Sequence, residues 1–370
     1  MASRFLGLGN GSDGVIALGS YTPLKYTCSG TSAASSLTAT GTFSAGDRLF
    51  IHQSRGTGVG YYEDNRVASY TTGTITLVHP LEHTYIDSGS SQAQVLVVKE
   101  ASAVTGTLTA PAWDGDKGGL FVIACNGVFS GTINGTGKGF RGGASISADG
   151  TNKDGQQGEG SVAAGGTASV NANGNGGGGG SKWNPSEGVG SASPGGGGGH
   201  AAVGGTGADG GAVTYARGGL AVGDATIATL FLGGGSGSGG VRSTFTGESS
   251  GAGAIGGAAI VVYAKTITSA ASLVANGNQG SNSSRDGIGA GGGGAGGSIL
   301  IKSVTSDVSG TITADGAIGG IGGNSNAVRG GTGSTGRVRI ESCSLSGTTS
   351  PTASTDTGGH AYCGGGAFIF

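Results

Sequence analysis

Short apolar runs recur along this chain, each introduced by glycine and each followed by a Ser/Thr/Gly turn. Gly118-Gly119 leads into Leu120-Phe121-Val122-Ile123-Ala124-Cys125, and then Ser130-Gly131-Thr132-Ile133-Asn134-Gly135. Gly256-Gly257 leads into Ala258 to Ala264, followed by Ser272-Leu273-Val274-Ala275. Gly296-Gly297 leads into Ser298 to Lys302, followed by Ser309 to Gly316, and Gly336 leads into Arg337 to Glu341, followed by Leu345 to Thr348. The runs are short and rich in β-branched residues, and helical spacing is absent, so each is predicted to be a strand. The last three leading glycines fall roughly 40 residues apart, a period that predicts stacked repeats.

Upstream, residues 21–110 show the same short alternation without the glycine. Leu49-Phe50-Ile51-His52-Gln53, Arg66 to Tyr70, Thr74 to Val78 and Gln94 to Lys99 are separated by turns such as Gly46-Asp47-Arg48 and Thr71-Thr72-Gly73. Strands at such short intervals predict a small all-β barrel or sandwich.

Composition changes the picture between these runs. The chain holds 88 glycines, with runs at Gly176–Gly180, Gly195–Gly199 and Gly291–Gly294. Ordering glycine costs more backbone entropy than ordering any other residue, so such a block is either a disordered tether or a region where backbones approach too closely for side chains. In-phase strands argue for order. The glycine runs are open to two readings: surface loops, or extended three-fold polyglycine II helices, which have no internal hydrogen bonds and so must pair with neighbours in a sheet-like or hexagonal array. The least regular stretch, from Gly142 to Gly256, carries one further apolar patch at Thr226–Leu232.

The expected organisation is an N-terminal apolar arm (1–20), the barrel or sandwich (21–110), a glycine-rich, solenoid-like stacked-strand block (111–345) and a C-terminal tail (346–370) with an apolar strand. Trp113, beside Pro111 and Gly115, is expected to cap the open end of the stack. Only 11% of residues are charged and the net charge is −2, which gives no electrostatic footprint for nucleic acid or an anionic membrane. No apolar run is long enough to span a bilayer. The first residues lack an apolar signal core, so the protein is expected to leave the cell without a classical signal, to leave by lysis as a virion part does, or to stay inside; an extracellular or virion-surface location is the expectation. Cys28, Cys125, Cys343 and Cys363 have no metal-site spacing. Cys343 and Cys363 are the pair easiest to close, with scattered buried thiols the equal alternative.

Candidate chemistry is thin. Gly135-Thr136-Gly137-Lys138-Gly139 lacks the first glycine and the Ser/Thr of a phosphate loop. Gly235-Ser236-Gly237-Ser238-Gly239 has glycine where a nucleophile elbow needs serine. His79 and His83 with Glu82 or Asp87 could suggest a metal or acid–base site, but read better as an exposed turn. The pairs Glu63-Asp64 and Asp114/Asp116 could supply calcium ligands or glycosidase carboxylates, and read better as solvated turns. Gly319 to Asn324 lacks the aspartate of a calcium nonapeptide. We expect no catalytic residue, cofactor or metal.

Gly46-Asp47 through Ile51-His52-Gln53, Thr74-Ile75-Thr76-Leu77, Tyr85 and Gln94-Val95-Leu96-Val97 resemble the N-terminal module of certain glycine-rich surface proteins. Ala112-Trp113-Asp114-Gly115, Gly118-Gly119 and Gly139-Phe140-Arg141-Gly142-Gly143 are similar to their repeat block. Those proteins are adhesin-like bacterial surface proteins and phage tail-fibre or tail-tip proteins, and the resemblance covers about residues 45 to 345. It implies a non-catalytic structural or attachment role.

The ends fit that role. Phe5, Leu6 and Leu8 near the start and Phe368, Ile369 and Phe370 at the end are apolar strands that need partners. They are expected to add to a neighbouring subunit, giving a homo-oligomer or filament, or else to dock on their own domain. Tyr61, Tyr62, Tyr70 and Tyr85 are candidate surface contacts for a glycan or protein receptor. The expected function is a self-associating fibre subunit. The alternatives are a receptor-binding fibre tip, an ice-binding face built on repeats such as Thr311-Ile312-Thr313, and a glycan-cleaving enzyme using Glu82 and Asp87.

Overall fold

The computed structural model describes residues 4–182, 192–207, 215–244, 246–322, 325–358, 360 and 362–363. In chain order its strands begin with β1 (Val15–Ala17), β2 (Leu24–Thr27), β3 (Ser36–Thr38), β4 (Arg48–Arg55), β5 (Tyr62–Thr71), β6 (Thr74–Leu77) and β7 (Gln92–Val98). They continue with β8 (Glu100–Thr105), β9 (Thr107–Thr109), β10 (Leu120–Phe129), β11 (Thr132–Asn134), β12 (Ser147–Asp149) and β13 (Thr246–Ser249). The last are β14 (Ala259–Ile267), β15 (Ser272–Val274), β16 (Ser298–Val308), β17 (Ile312–Thr313), β18 (Ile321–Gly322), β19 (Ser325–Arg329), β20 (Arg337–Gly347) and β21 (Ser354–Asp356). Among the described residues the one helical piece is the 3-10 turn Leu18–Ser20. The chain is all-β.

Six antiparallel strands in the order β2-β7-β4-β5-β6-β3 form one curled sheet. Its edges meet where Ser29 and Thr38 exchange backbone hydrogen bonds of 3.0 and 2.8 Å, giving a half-barrel. Alternate residues turn inward, as the pleat requires, to bury Leu37, Leu49, Ile51, Val67, Ile75, Tyr85 and Val95 in one core. The two carboxylates expected in a solvated turn, Glu63 and Asp64, instead lie on β5 and are fully buried. Strand continuation through Tyr62–Thr71 overrides the local polarity of the sequence, and arginines compensate.

The second unit is built from parallel strands. Seven form a sheet in the order β1-β8-β10-β14-β16-β20-β21, and four form a smaller one in the order β17-β15-β11-β9. Ala259 pairs with Ser298, Ser298 with Arg337, and Leu273 with Ile312. The repeat is thus 39 residues, and Asp315 N–H donates to Asn276 Oδ1 one repeat earlier at 2.7 Å. β10, β14 and β16 each turn through a short corner of small residues (Ser130-Gly131, Thr268 to Ala271, Ser309 to Thr311) into β11, β15 and β17, so the two sheets face each other. Between them lie Phe121, Ile123, Phe129, Ile133, Ile260, Val262, Leu273, Ile299, Ile301 and Ile312, all buried.

The other face of the seven-stranded sheet meets the outside of the half-barrel. Phe50, Tyr62, Leu96 and Val98 pack there with Leu120, Val122, Val261, Tyr263 and Leu300. Trp113 lies in this seam, edge-on to Phe140 at 5.7 Å, and does not cap the stack. Burial of its ring between two sheets is worth more than cover at an exposed end. At the same seam the fully buried Arg48 bonds Asp64 (2.7 Å) and the Gly7 carbonyl (2.9 Å), and stands 4.8 Å over the Tyr263 ring. Arg66 grips Glu100 with two bonds, 2.7 and 2.8 Å. A buried charge left unpaired is costly; Asp64 neutralises Arg48 within the half-barrel, and Arg48 and Arg66 both reach Glu100 of β8, at 3.7 and 2.7 Å, which helps fix the docking of one unit on the other.

The glycine segments fill the remaining volume with a pattern of their own. Gly233, Ser236 and Gly239 donate to the carbonyls of Gly257, Ala254 and Gly251 (2.9, 3.0 and 3.0 Å). Gly234, Gly237 and Gly240 donate to Gly199, Gly196 and Ser193 (3.3, 2.9 and 3.0 Å). Gly235, Ser238 and Val241 donate to Glu159, Gln156 and Lys153 (3.1, 2.9 and 2.9 Å). Every third residue of one segment therefore faces the same neighbour. Gly292 and Ala295 return to Gly237 and Gly234 in the same way (3.0 and 3.1 Å). The glycines of this segment do not occupy the left-handed region, so space and not conformation demands them. A methyl at Gly237 would overlap the Gly178 carbonyl, and one at Gly234 the Asn175 carbonyl.

Gly237→Ala and Gly234→Ala are each expected to destabilise the fold by about 3 kcal/mol or more, because rigid backbone cannot yield. Gly46, at φ 91° with open space around it, serves as the contrast; Gly46→Ala is expected to cost only about 1 kcal/mol of left-handed strain. Chemical denaturation of the three variants checks the difference.

Candidate functional site at the loop end of the glycine array

Antiparallel neighbours in the array put its turns at two ends. At the inner end Gly56 N–H donates to the Ser161 carbonyl (2.8 Å) and Leu230 N–H to that of Gly60 (2.8 Å), while the stretches near 144–152, 246–249, 282–288 and 321–322 gather at the far end. The inner end is clamped. Segment 227–232 is held by His52 Nε2 on the Leu230 carbonyl (2.8 Å) and by the Tyr62 hydroxyl donating to the Ile227 carbonyl (2.9 Å). Ser298 Oγ holds the Phe231 carbonyl (2.8 Å) beside His200, whose Nδ1 meets the Gly296 carbonyl (2.7 Å). Arg55 pairs with Glu159, and Arg141 with the same carboxylate at 2.9 Å.

The far end is woven from residues distant in sequence. β12 pairs antiparallel with β13, Ser147 opposite Ser249. Ser145 Oγ donates to the Ser250 carbonyl (2.7 Å), and Ser284 Oγ donates to that of Ser249 (3.1 Å). Ile321 N–H donates to Asn282 Oδ1 (2.8 Å), again one repeat apart. Ala148, Val241 and Ile288, with Ile146 against them, make a small apolar cluster beneath the loops. Above it the surface is polar and carries both signs. Asp149 bonds Lys153 at 2.7 Å, which together with Thr151 holds its carboxyl down at about 2. Arg285 stands 3.9 Å from Glu248. Hydroxyls, amides and mixed charge on an anchored framework suit recognition of a polar surface.

The residues singled out from sequence fall elsewhere. Phe5 packs edge-on to Tyr263 at 5.0 Å and to Tyr362 at 5.7 Å, with the Lys302 ammonium 5.1 Å from its ring centre. Leu8 is buried, and Leu6 N–H reaches Asp64 Oδ2 (3.4 Å). The N-terminal arm thus fills the seam of its own chain, because its apolar groups find a ready-made cleft there. Phe368, Ile369 and Phe370 lie outside the described residues. Tyr62 and Tyr85 are core, stacked on Phe50 and beside Glu63 respectively. Tyr70 is half-buried against Phe43, 5.2 Å away. Tyr61 alone of the four is exposed, stacked on His83 at 4.3 Å.

Glu82 is occupied: it accepts from the Arg4 backbone at 3.0 Å and lies 3.5 Å from its guanidinium. Asp114 caps its own turn through the N–H groups of Asp116 and Lys117, both at 3.0 Å. Cys343 and Cys363 form a disulfide, while Cys28 and Cys125 are buried thiols. Among the described residues no cluster of three or more His, Cys, Asp and Glu could hold a metal ion, and no helix is long and apolar enough to cross a membrane. Sequence reasoning missed the far-end loops because they carry no motif. Their one signal was position, each interrupting a glycine run. Compared with protein-family models and with curated protein sequences, the chain matches none.

Two buried histidines make the clamp pH-sensitive. Burial pushes both His52 and His200 down to about 4. A base whose folded value lies below its unfolded value takes up protons mainly on unfolding, so stability falls as pH drops from about 6.5 towards 4. Each histidine is expected to contribute up to about 3 kcal/mol of that loss, and His52→Gln should flatten the dependence of unfolding free energy on pH. The buried Glu63, whose value is raised by burial, opposes the trend and is common to both proteins. Phe5→Ala is expected to cost about 2 kcal/mol, less than a fully buried ring, measurable by urea unfolding.

Proposed function

We propose that this chain is a non-catalytic attachment protein, a tip adhesin of the tail-fibre type, acting at an extracellular or virion surface. The 39-residue stack is read as a short solenoid, and the glycine segments as a bundle of polyglycine II helices. The observation that carries the reading is the three-residue recurrence of lateral hydrogen bonds. It converts segments that cannot hold a shape singly into a stiff rack presenting polar loops at one end. Such a rack holds loops of variable sequence without altering its own backbone contacts. Attachment needs both properties.

A self-associating fibre subunit was the function expected from the sequence, with the tip as its alternative. Since Phe5 and Leu8 are spent within the chain, self-association would rest on Phe368–Phe370. Electron microscopy of the full-length protein beside one lacking residues 364–370 separates the two. Discrete particles from both are expected, and filaments that vanish on truncation would replace the tip reading with a polymerising subunit. Binding to cells should drop at least tenfold when Ser284 and Arg285 are both changed to alanine.

An ice-binding face is the second reading, favoured by one observation. Thr107, Thr132 and Ser272 stand in register across β9, β11 and β15, while Ile133, Leu273 and Ile312 turn inward. The adjoining row runs Thr109, Asn134, Val274 and Thr313, so its hydroxyls are interrupted. With about 4.8 Å between strands, the face spans about 15 Å. A measured thermal hysteresis that Thr132→Leu removes would favour this reading; none is expected.

A further inference from the structure

The half-barrel carries a groove on its outer wall that neither the seam nor the array explains. Where the curled sheet closes, Ser29 is bridged to Thr38 and Gly30 to Tyr85. The inward residues here, Leu37 and Tyr85, fill the core. Their neighbours Ser29, Ser36, Thr38 and Thr84 turn outward and line a cavity of about 480 Å³ with Ile86 and Asp87. That volume lies within the range of small-ligand sites.

The lining defines what it could hold. Its hydroxyls each offer one donor and two acceptor positions and rotate to suit a partner. Among the described residues the Thr84 hydroxyl accepts from the Ser32 N–H at 3.1 Å, and no side chain bonds the Ser29, Ser36 or Thr38 hydroxyl. Asp87 is half-buried, its carboxyl pushed up by loss of water, opposed by a hydrogen bond from Thr27. No ion pair among the described residues includes it. Lys117 lies close enough to favour the charged form, and the carboxylate keeps acceptor positions beyond the bond from Thr27 that further donors can fill. No basic side chain lines the groove, which disfavours phosphates and sugar acids, and the lining is too polar for an apolar ligand. Ile86 offers a small apolar patch for the C–H face of a ring.

We propose that this groove binds a neutral saccharide, with Asp87 accepting from ring hydroxyls and the Ser/Thr lining completing the contacts. The site stands on a different unit from the far-end loops, and goes beyond the attachment reading without depending on it.

The test uses the full-length protein and saturation-transfer NMR with glucose, galactose, mannose, N-acetylglucosamine, lactose and maltose, each to about 10 mM, a concentration that detects millimolar binding. At least one is expected to give saturable transfer. Asp87→Asn should weaken it at least tenfold, and Thr38→Trp, which fills the groove, should abolish it with the circular dichroism spectrum unchanged. Glucuronate and sialic acid should give none. Silence from the whole neutral panel, or binding that survives Asp87→Asn undiminished, would overturn the proposal. So would preference for the acidic sugars, or loss of sugar binding only in the Ser284/Arg285 double variant. Cell binding lost in that double variant but kept in Asp87→Asn would leave the attachment reading standing whatever the groove does.

Discussion

The constraint on which the structure depends is that a glycine backbone without internal hydrogen bonds must find its partners sideways. Each ordered residue costs about 1–2 kcal/mol of conformational entropy, and a lateral hydrogen bond returns about 1 kcal/mol net. The bonds alone therefore do not hold the array. Close packing adds dispersion and Cα–H···O contacts of about 0.5–1 kcal/mol each, which brings the balance near even. The rest must come from the ends. At the inner end Ile227, Leu230 and Leu232 tie the array to the seam, and at the far end Val241 and Ile288 sit in a satellite core.

This dependence explains the division of labour among the units. The half-barrel and the stacked sheets are conventional apolar cores, each with side chains enough to fold around. The seam joins them through Phe50, Tyr62, Leu120, Tyr263 and the contacts of Arg48 and Arg66 to Glu100. The array borrows stability from both through His52, Tyr62, Ser298 and Glu159. Glycine packing in the array is set by backbone, and the far-end loops contribute only Ile146, Ala148 and Ile288 to the apolar cluster beneath them.

The strands of both units were legible in the chain. Alternation placed Leu49–Gln53, Thr74–Leu77 and Gln94–Val98, and the leading glycines gave a period close to the 39-residue register of β14, β16 and β20. The glycine runs were readable as ordered, since only close backbone approach accounts for them. The burial of Glu63 and Asp64 was not, because a carboxylate pair reads as a turn until an arginine from elsewhere is brought beside it. Nor could the arm at Phe5 be told from an assembly strand. An apolar segment declares that it needs a partner, without saying which.

Local sequence by itself determined that the chain is all-β, that it repeats, and that glycine is required for space. These follow from side-chain period and volume, which each residue carries with it. The tertiary structure alone decided which segments lie side by side. Ser145, Ser249, Ser284 and Ile321 meet at one end only because lateral hydrogen bonds recur at every third residue and fix the register across the whole array. Such register is a property of pairs of segments far apart in the chain, and no single segment contains it.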